Sequence, residues 1–386
     1  MVDQRLTGSG AAGARPAYAR LIELDALRGF AAVVVLLHHA VHLMPSVEAL
    51  QAIGLVWLNE ILFEATPLRA IRAGRSAVLF FFVLSGYALT WSLLHGGSAT
   101  RLPAFAIQRT LRILIPTAVA VGISALLQWA FHDTFGPDDA AVPGNHFYNW
   151  LFEPTPLRLL ADAALFRNDF NVVLWSLAHE WRLTVLLPLV LVFRRQPLML
   201  LALAAVAMSA GIAAGATEDQ VYLPRDPLLG FAATLYFALG IGTGAALALI
   251  GPMPILSRQQ RWAALLGMVA AFSMASDIAS YIGAVLLIAL ALQPGRLQTV
   301  LRRPCAAWLG RMSFSLYLIH VPLLLSAWHI LDDVAAGWVI ALVGIMVSLL
   351  AAPLMHYLVE EPSRKVARRS VAWLASPSHA GGQARA

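Results

Sequence analysis

Runs of roughly 18–22 apolar residues recur about ten times along this chain, and each is long enough for a helix rising about 1.5 Å per residue to cross a hydrocarbon core of about 30 Å. Lipid is therefore the expected solvent. Composition agrees: 59% of the residues are apolar and 12% charged, against about 45–50% and about 25% in an ordinary soluble domain. The expected fold class is all-α, a polytopic transmembrane helix bundle of about ten spans. The formal charge of +6 does not point to nucleic acid, because basic residues that alternate with spans encode orientation. The single cysteine, Cys305, has no partner for a disulfide and no neighbours at zinc-ligand spacing. Its apolar flank suggests a packing role.

The first span covers about 26–44. It exceeds the usual apolar length of a cleavable signal, about 7–15 residues, and no small-residue cleavage site follows, so it is expected to be retained. Further spans are expected near 76–95, 113–131, 172–193, 197–216, 228–250, 262–277, 278–293, 305–330 and 336–358. Alternate threading from a cytoplasmic N-terminus places most of the 27 Lys+Arg residues on the cytoplasmic side, together with both termini. Arg69, Arg72 and Arg75 fall on the outer side, against that rule. Three segments follow: a disordered cytoplasmic tail over 1–20, a membrane domain over 21–362 and a basic cytoplasmic tail over 363–386. The segment 132–171 contains Pro137, Pro143, Pro154 and Pro156 with several aromatics, and suits a re-entrant or interfacial cap. No internal repeat suggests a transporter built from duplicated halves.

Charged residues at a span centre cost about 2.5–3.5 kcal/mol on insertion scales, which makes each one a functional candidate. The candidates are His38, His39 and His42 in the first span, Glu180 and Arg182 in the fourth, Asp277, and Arg311, His320 and His329 in the ninth. In LIELDALRGFAAVVVLLHHAVHL, Arg28 and His39 are eleven residues apart and return to within about 20° of one face, separated by about 16 Å along the axis. A long substrate can touch both. His38 and His42 share another face and could chelate a metal only with a third ligand from elsewhere; no metal is expected. Glu180, in LWSLAHEWRLTVLLPLV, would stay ionised beside an imidazole, and His39 is the attractive partner. Arg182 offers Glu180 a local ion pair instead, or serves as an interfacial anchor.

Taken together, these motifs resemble the acyltransferase-3 family of membrane O-acyltransferases over about residues 21–362. Arg28 and His39 match the family's Arg-x10-His. FFVLSGY at 81–87 matches FFxxSG, Arg109 and Arg112 match Arg-x-x-Arg, Trp175 to Glu180 matches WSLxxE, and Gly310 to His320 matches GRxSxSLYLxH. A terminal EEP-x-R runs from Glu360 to Arg364. The chain departs from many relatives at Leu79, where an acid is common, and lacks the extracytoplasmic esterase-like domain of some members, so it is expected to act through its membrane module alone.

The resemblance implies transfer of an acyl group, usually acetyl from acetyl-CoA or another acyl-CoA, to a hydroxyl of a saccharide or lipid-linked glycan, in a bacterial cytoplasmic membrane. His39 would act as general base or transient acyl carrier, with Glu180 orienting it. Arg109 and Arg112 lie on one helical face where, with Arg28, they could hold CoA phosphates. Ser85, Gly86, Trp175, Ser313, Tyr317 and His320 are candidates for substrate binding; Ser85 and Gly86 also suit close helix packing, and Ser313, Tyr317 and His320 can share a face. A glycan or lipid transporter or flippase would use the same intramembrane charges.

Overall fold

The computed structural model describes residues 21–42, 73–95, 102–131, 152–217, 222, 226–274, 276–331 and 334–374. In order, its helices are α1 (Ile22–His42), α2 (Gly74–His95), α3 (Leu102–Phe131), α4 (Pro156–Ala163), α5 (Leu174–Val185), α6 (Pro197–Ala213), α7 (Pro227–Tyr236), α8 (Ala238–Ile250), α9 (Arg258–Ser273), α10 (Asp277–Ala291), α11 (Arg296–Leu301), α12 (Pro304–Leu331), α13 (Gly337–Met355) and α14 (Glu361–Leu374). No strand occurs among the described residues. Six helical stretches are long and apolar enough to cross a membrane: α1, α2, α3, α7 with α8, α12, and α13 continued into α14. The expected fourth span is broken, because α5 meets the 3-10 helix Leu187–Phe193 at a 48° bend. Pro188 has no N–H to continue the α-helical ladder there. Helices α6, α9 and α10 have 17, 16 and 15 residues, short of the roughly 20 a straight crossing needs.

Membrane character shows in what the bundle leaves outside. Leu198, Met199, Leu203 and Val206 of α6 and Leu342, Met346, Leu350 and Leu354 of α13 are exposed. Apolar rows of this kind are stable against lipid tails, not against water. With little hydrophobic drive between helices in lipid, close backbone packing has to hold the bundle together. Helices α1 and α12 touch at Gly29 and Gly310, where a Cβ on either would collide with the other helix's backbone. A Cβ on Gly86 of α2 would meet the Ile241 carbonyl of α8. Helix α12 also packs on α3 and α13, and α14 lies along α3.

Several expectations change here. Helix α3 begins eleven residues before the expected span, so Arg109 and Arg112 lie within its length. The boundary drawn at 362 falls inside a helical region: residues 363–374 continue α14, with Ser363 and Ala367 buried. Cys305 is exposed in the first turn of α12 and is not packed. Arg75, one of the three exceptions to the charge rule, is neutralised by the buried Asp277, which accepts from its Nε at 2.7 Å and its Nη2 at 2.6 Å and also from the Tyr236 hydroxyl at 2.8 Å. The calls for residues 1–20, 132–151 and 375–386, and for Arg69 and Arg72, lie outside the described residues.

Candidate active site

A cavity of about 530 Å³ opens between α1, α2, α3, α5, α12 and α14. Six arginines line it: Arg28, Arg109, Arg112, Arg311, Arg364 and Arg368, against the carboxylates Asp25, Glu180 and Glu360. Each carboxylate takes one arginine. Arg28 Nη1 reaches Asp25 at 3.2 Å one turn back on α1, and Arg109 Nη2 reaches Glu180 at 2.5 Å. Arg364 Nη2 reaches Glu360, also at 2.5 Å. Arg112, Arg311 and Arg368 make no hydrogen bond or ion pair with the described residues. The side chains lining the vestibule thus carry a net charge of +3, and three of its arginines have no ion pair among the described residues.

Local sequence explains how these groups are aimed. Pro362 cannot donate the next α-helical hydrogen bond, so the chain loosens into a π-helix over His356–Glu360, closed by the Glu361 amide bonding to the His356 carbonyl. Glu360 then faces the cavity, buried, accepting from Ser315 Oγ at 2.7 Å and from His356 Nδ1 at 2.9 Å. Arg364 and Arg368, four apart on α14, follow on the same side.

Glu180 does not sit as expected. Its Oε1 receives Ser85 Oγ at 2.8 Å besides Arg109, while the bond described for His39 runs from its Nδ1 to His320 Nε2 at 2.9 Å. A guanidinium outcompetes a neutral imidazole for a carboxylate, since a charge-assisted bond is roughly twice as strong. Arg182 forms no ion pair among the described residues: its Nη2 donates to the Leu165 carbonyl at 3.0 Å, and its Nη1 lies 3.4 Å from Thr234 Oγ1.

Of the expected substrate contacts, Ser85, Ser313 and Tyr317 line the vestibule. Gly86 serves close packing against α8. Trp175 is buried against Tyr222 and Phe237, with ring centroids 4.9 and 5.6 Å away. Tyr317 marks the inner end of the cavity. Its hydroxyl donates to the Val173 carbonyl at 3.0 Å and meets Ser176 Oγ at 2.6 Å. One turn further along α12 lies His320, 5.8 Å from Tyr317 between ring centroids, and with it His39. Helix α12 is held at this level by Asn171, whose Nδ2 donates at 2.7 Å to the Leu318 carbonyl. That carbonyl loses its helical partner because Pro322 has no N–H. Glu360, Arg364, Arg368 and Ser176 were not singled out as site residues from the sequence, and Arg311 was noted only as a charge within a span. The i, i+4 spacing of Glu360 and Arg364 after a membrane span was a signal for the first pair. Among the described residues, no group of three or more His, Cys, Asp or Glu could hold a metal ion.

Residues 21–357 match the profile of the acyltransferase-3 family, an acyltransferase domain. This chain belongs to that family. It is a multi-pass membrane acyltransferase by family and by its apolar helices. A relative is the peptidoglycan O-acetyltransferase OatA of Listeria monocytogenes, 22% identical over 362 residues that cover 83% of this chain and 56% of the relative. The chain thus spans little more than half the length of that protein. No solved structure matches it.

Proposed function

We propose that this acyltransferase moves an acyl group, acetyl in the simplest case, from acyl-CoA to a hydroxyl of a saccharide or glycolipid. The observation that carries the reading is the trio Arg112, Arg311 and Arg368, cations in one vestibule that form no ion pair among the described residues. CoA carries a pyrophosphate and a 3′-phosphate, and arginine is the side chain suited to them. With its phosphates among these arginines, the donor's pantetheine arm extends past Tyr317 toward His39. His39 then takes the acceptor's hydroxyl proton while the acceptor oxygen bonds to the acyl carbon and the C–S bond breaks, or it attacks the thioester itself, expelling the thiolate, and the acceptor oxygen next displaces the imidazole from the acyl carbon; in both routes the hydroxyl proton finishes on the thiolate. A saccharide acceptor fits the peptidoglycan O-acetyltransferase of Listeria monocytogenes.

The arginine-rich end is the cytoplasmic one in this reading, and the ten apolar segments thread a bacterial cytoplasmic membrane with both termini inside. Vesicles containing the protein, given labelled acetyl-CoA outside and a soluble glycan, provide the test. Wild type should label the glycan and His39→Ala should not. Acetyl-pantetheine, which lacks the three phosphates, should show a KM raised by at least about 10-fold relative to acetyl-CoA, the effect of losing even one charge-assisted contact of about 1.5–3 kcal/mol. Equal KM values for the two donors would remove the arginines from donor binding. Glycan flux without labelling would favour a transporter.

A further inference from the structure

Helices α1 and α12 run parallel through the core, crossing at Gly29 and Gly310 and again meeting ten residues later, at His39 and His320. The second meeting has a direction. His320 is buried, and its Nδ1 lies 2.8 Å from the Tyr317 carbonyl and 3.1 Å from the Leu316 carbonyl of its own helix. Carbonyl oxygens only accept, so Nδ1 of His320 carries the hydrogen. In the neutral ring, Nε2 then holds a lone pair, and it faces His39 Nδ1 at 2.9 Å. His39 therefore donates from Nδ1, and its remaining lone pair lies on Nε2.

We infer that His320 is a positioning residue for His39, fixing it in the tautomer whose Nε2 receives the acceptor's proton or attacks the acyl carbon. The assignment rests on the acyl-transfer role given to His39 above. It assigns to His320 the part that the sequence suggested for Glu180. The chain of bonds runs from two backbone carbonyls through His320 to His39, and both donors keep their hydrogens when His39 becomes an imidazolium. The His39–His320 bond then gains charge assistance and strengthens as the proton is transferred. No carboxylate is needed for this relay. The rigidity comes from α12, where Asn171 holds the Leu318 carbonyl between the Tyr317 and His320 turns.

The test is a set of His320 variants in lipid nanodiscs, read three ways. His320→Met fills the space but accepts only weakly, and should lower kcat by about 10²-fold, the typical cost of a misoriented catalytic group. KM for acetyl-CoA, bound through arginines at the other end of the vestibule, should stay within about 2-fold. His320→Gln keeps an amide oxygen for His39 Nδ1–H and should recover about 10-fold of the lost kcat. Nitrogen-15 spectra of histidine-labelled protein, assigned by difference against His39→Gln, should show a lone-pair nitrogen at His39 Nε2 in wild type and a tautomer mixture in His320→Met. A wild-type lone pair at Nδ1, or unchanged kcat and tautomer in His320→Met, overturns the assignment. If wild type transfers no acyl group from acyl-CoA, the spectra still decide whether the pair is directional, so the two readings fail separately.

Discussion

Replacing Glu180 by glutamine tests whether this carboxylate serves Arg109 or His39. Its Oε1 receives Arg109 and Ser85, and the side chains of the ion pair are 13% and 19% exposed. Removing one member of a buried pair typically costs about 3–5 kcal/mol, because the other charge is left uncompensated. Here the vestibule admits water to Arg109, and glutamine retains a neutral hydrogen bond worth about 1 kcal/mol, so we expect a loss of about 2–3 kcal/mol. Arg109→Gln should cost a similar amount. The double variant should cost much less than the sum, giving a coupling of about 2 kcal/mol. Unfolding in mixed detergent and SDS micelles, followed by circular dichroism, measures all four corners of the cycle. The corresponding cycle between Glu180 and His39 should be additive within about 0.5 kcal/mol. A larger coupling to His39 than to Arg109 would refute the placement.

The remaining tests address the scaffold. Asp162 of α4 is fully buried, accepts the Phe170 amide at 2.9 Å, and is pushed by burial from 3.8 up to about 7. The folded state holds a proton that the unfolded chain releases, so this contribution is present below about pH 4 and lost as pH rises through about 7; Asp162→Asn should flatten the unfolding free energy over that window, and an unchanged slope contradicts it. Asn171→Leu strands the Leu318 carbonyl beside Pro322 and should cost about 1–3 kcal/mol in the same unfolding assay, whereas a loss under about 0.5 kcal/mol would mean the carbonyl finds another donor. Cys305, the lone cysteine and exposed, reports on topology: a membrane-impermeant maleimide should label it in inside-out vesicles and not in right-side-out ones.

What the sequence made legible follows from the range of the interactions involved. Helical segments could be read from apolar runs because lipid acts on each run separately. The arginine-rich mouth was visible in part, through Arg28, Arg109 and Arg112, since basic residues collect where spans end. Pairings across the bundle were not. His39 and His320 are 281 positions apart, and Arg109 and Glu180 are 71 apart. A stripe on one helix says which face a residue occupies and nothing about which helix it meets. The Glu180 expectation failed for that reason: the sequence offers an imidazole and several guanidinium groups as partners, and only the packing of α3 beside α5 brings Arg109 to it. Arg75 is the converse case. It breaks the charge rule in the sequence, and Asp277 on a distant helix accounts for it.

The charges at the two ends of the bundle lead to one more consequence. Arg75 is closed by both oxygens of Asp277 and by the Tyr222 hydroxyl at 3.2 Å, while three arginines of the vestibule have no hydrogen bond or ion pair among the described residues. Six arginines sharing one cavity with three carboxylates repel one another, and an anionic ligand relieves that repulsion in the folded state alone. CoA without any acyl group should therefore stabilise the protein. At 100 times its Kd, the gain is about 2.7 kcal/mol by mass action, observable as a rise in the thermal midpoint of tryptophan fluorescence in nanodiscs. Arg112→Gln should weaken the shift, and dephospho-CoA should produce a smaller one than CoA at equal concentration. His39→Ala should leave the CoA shift unchanged, because the histidine pair lies beyond Tyr317 and outside the arginine-lined cavity. A shift that depends on His39 and not on Arg112 would place the anion at the wrong end of the vestibule for this account.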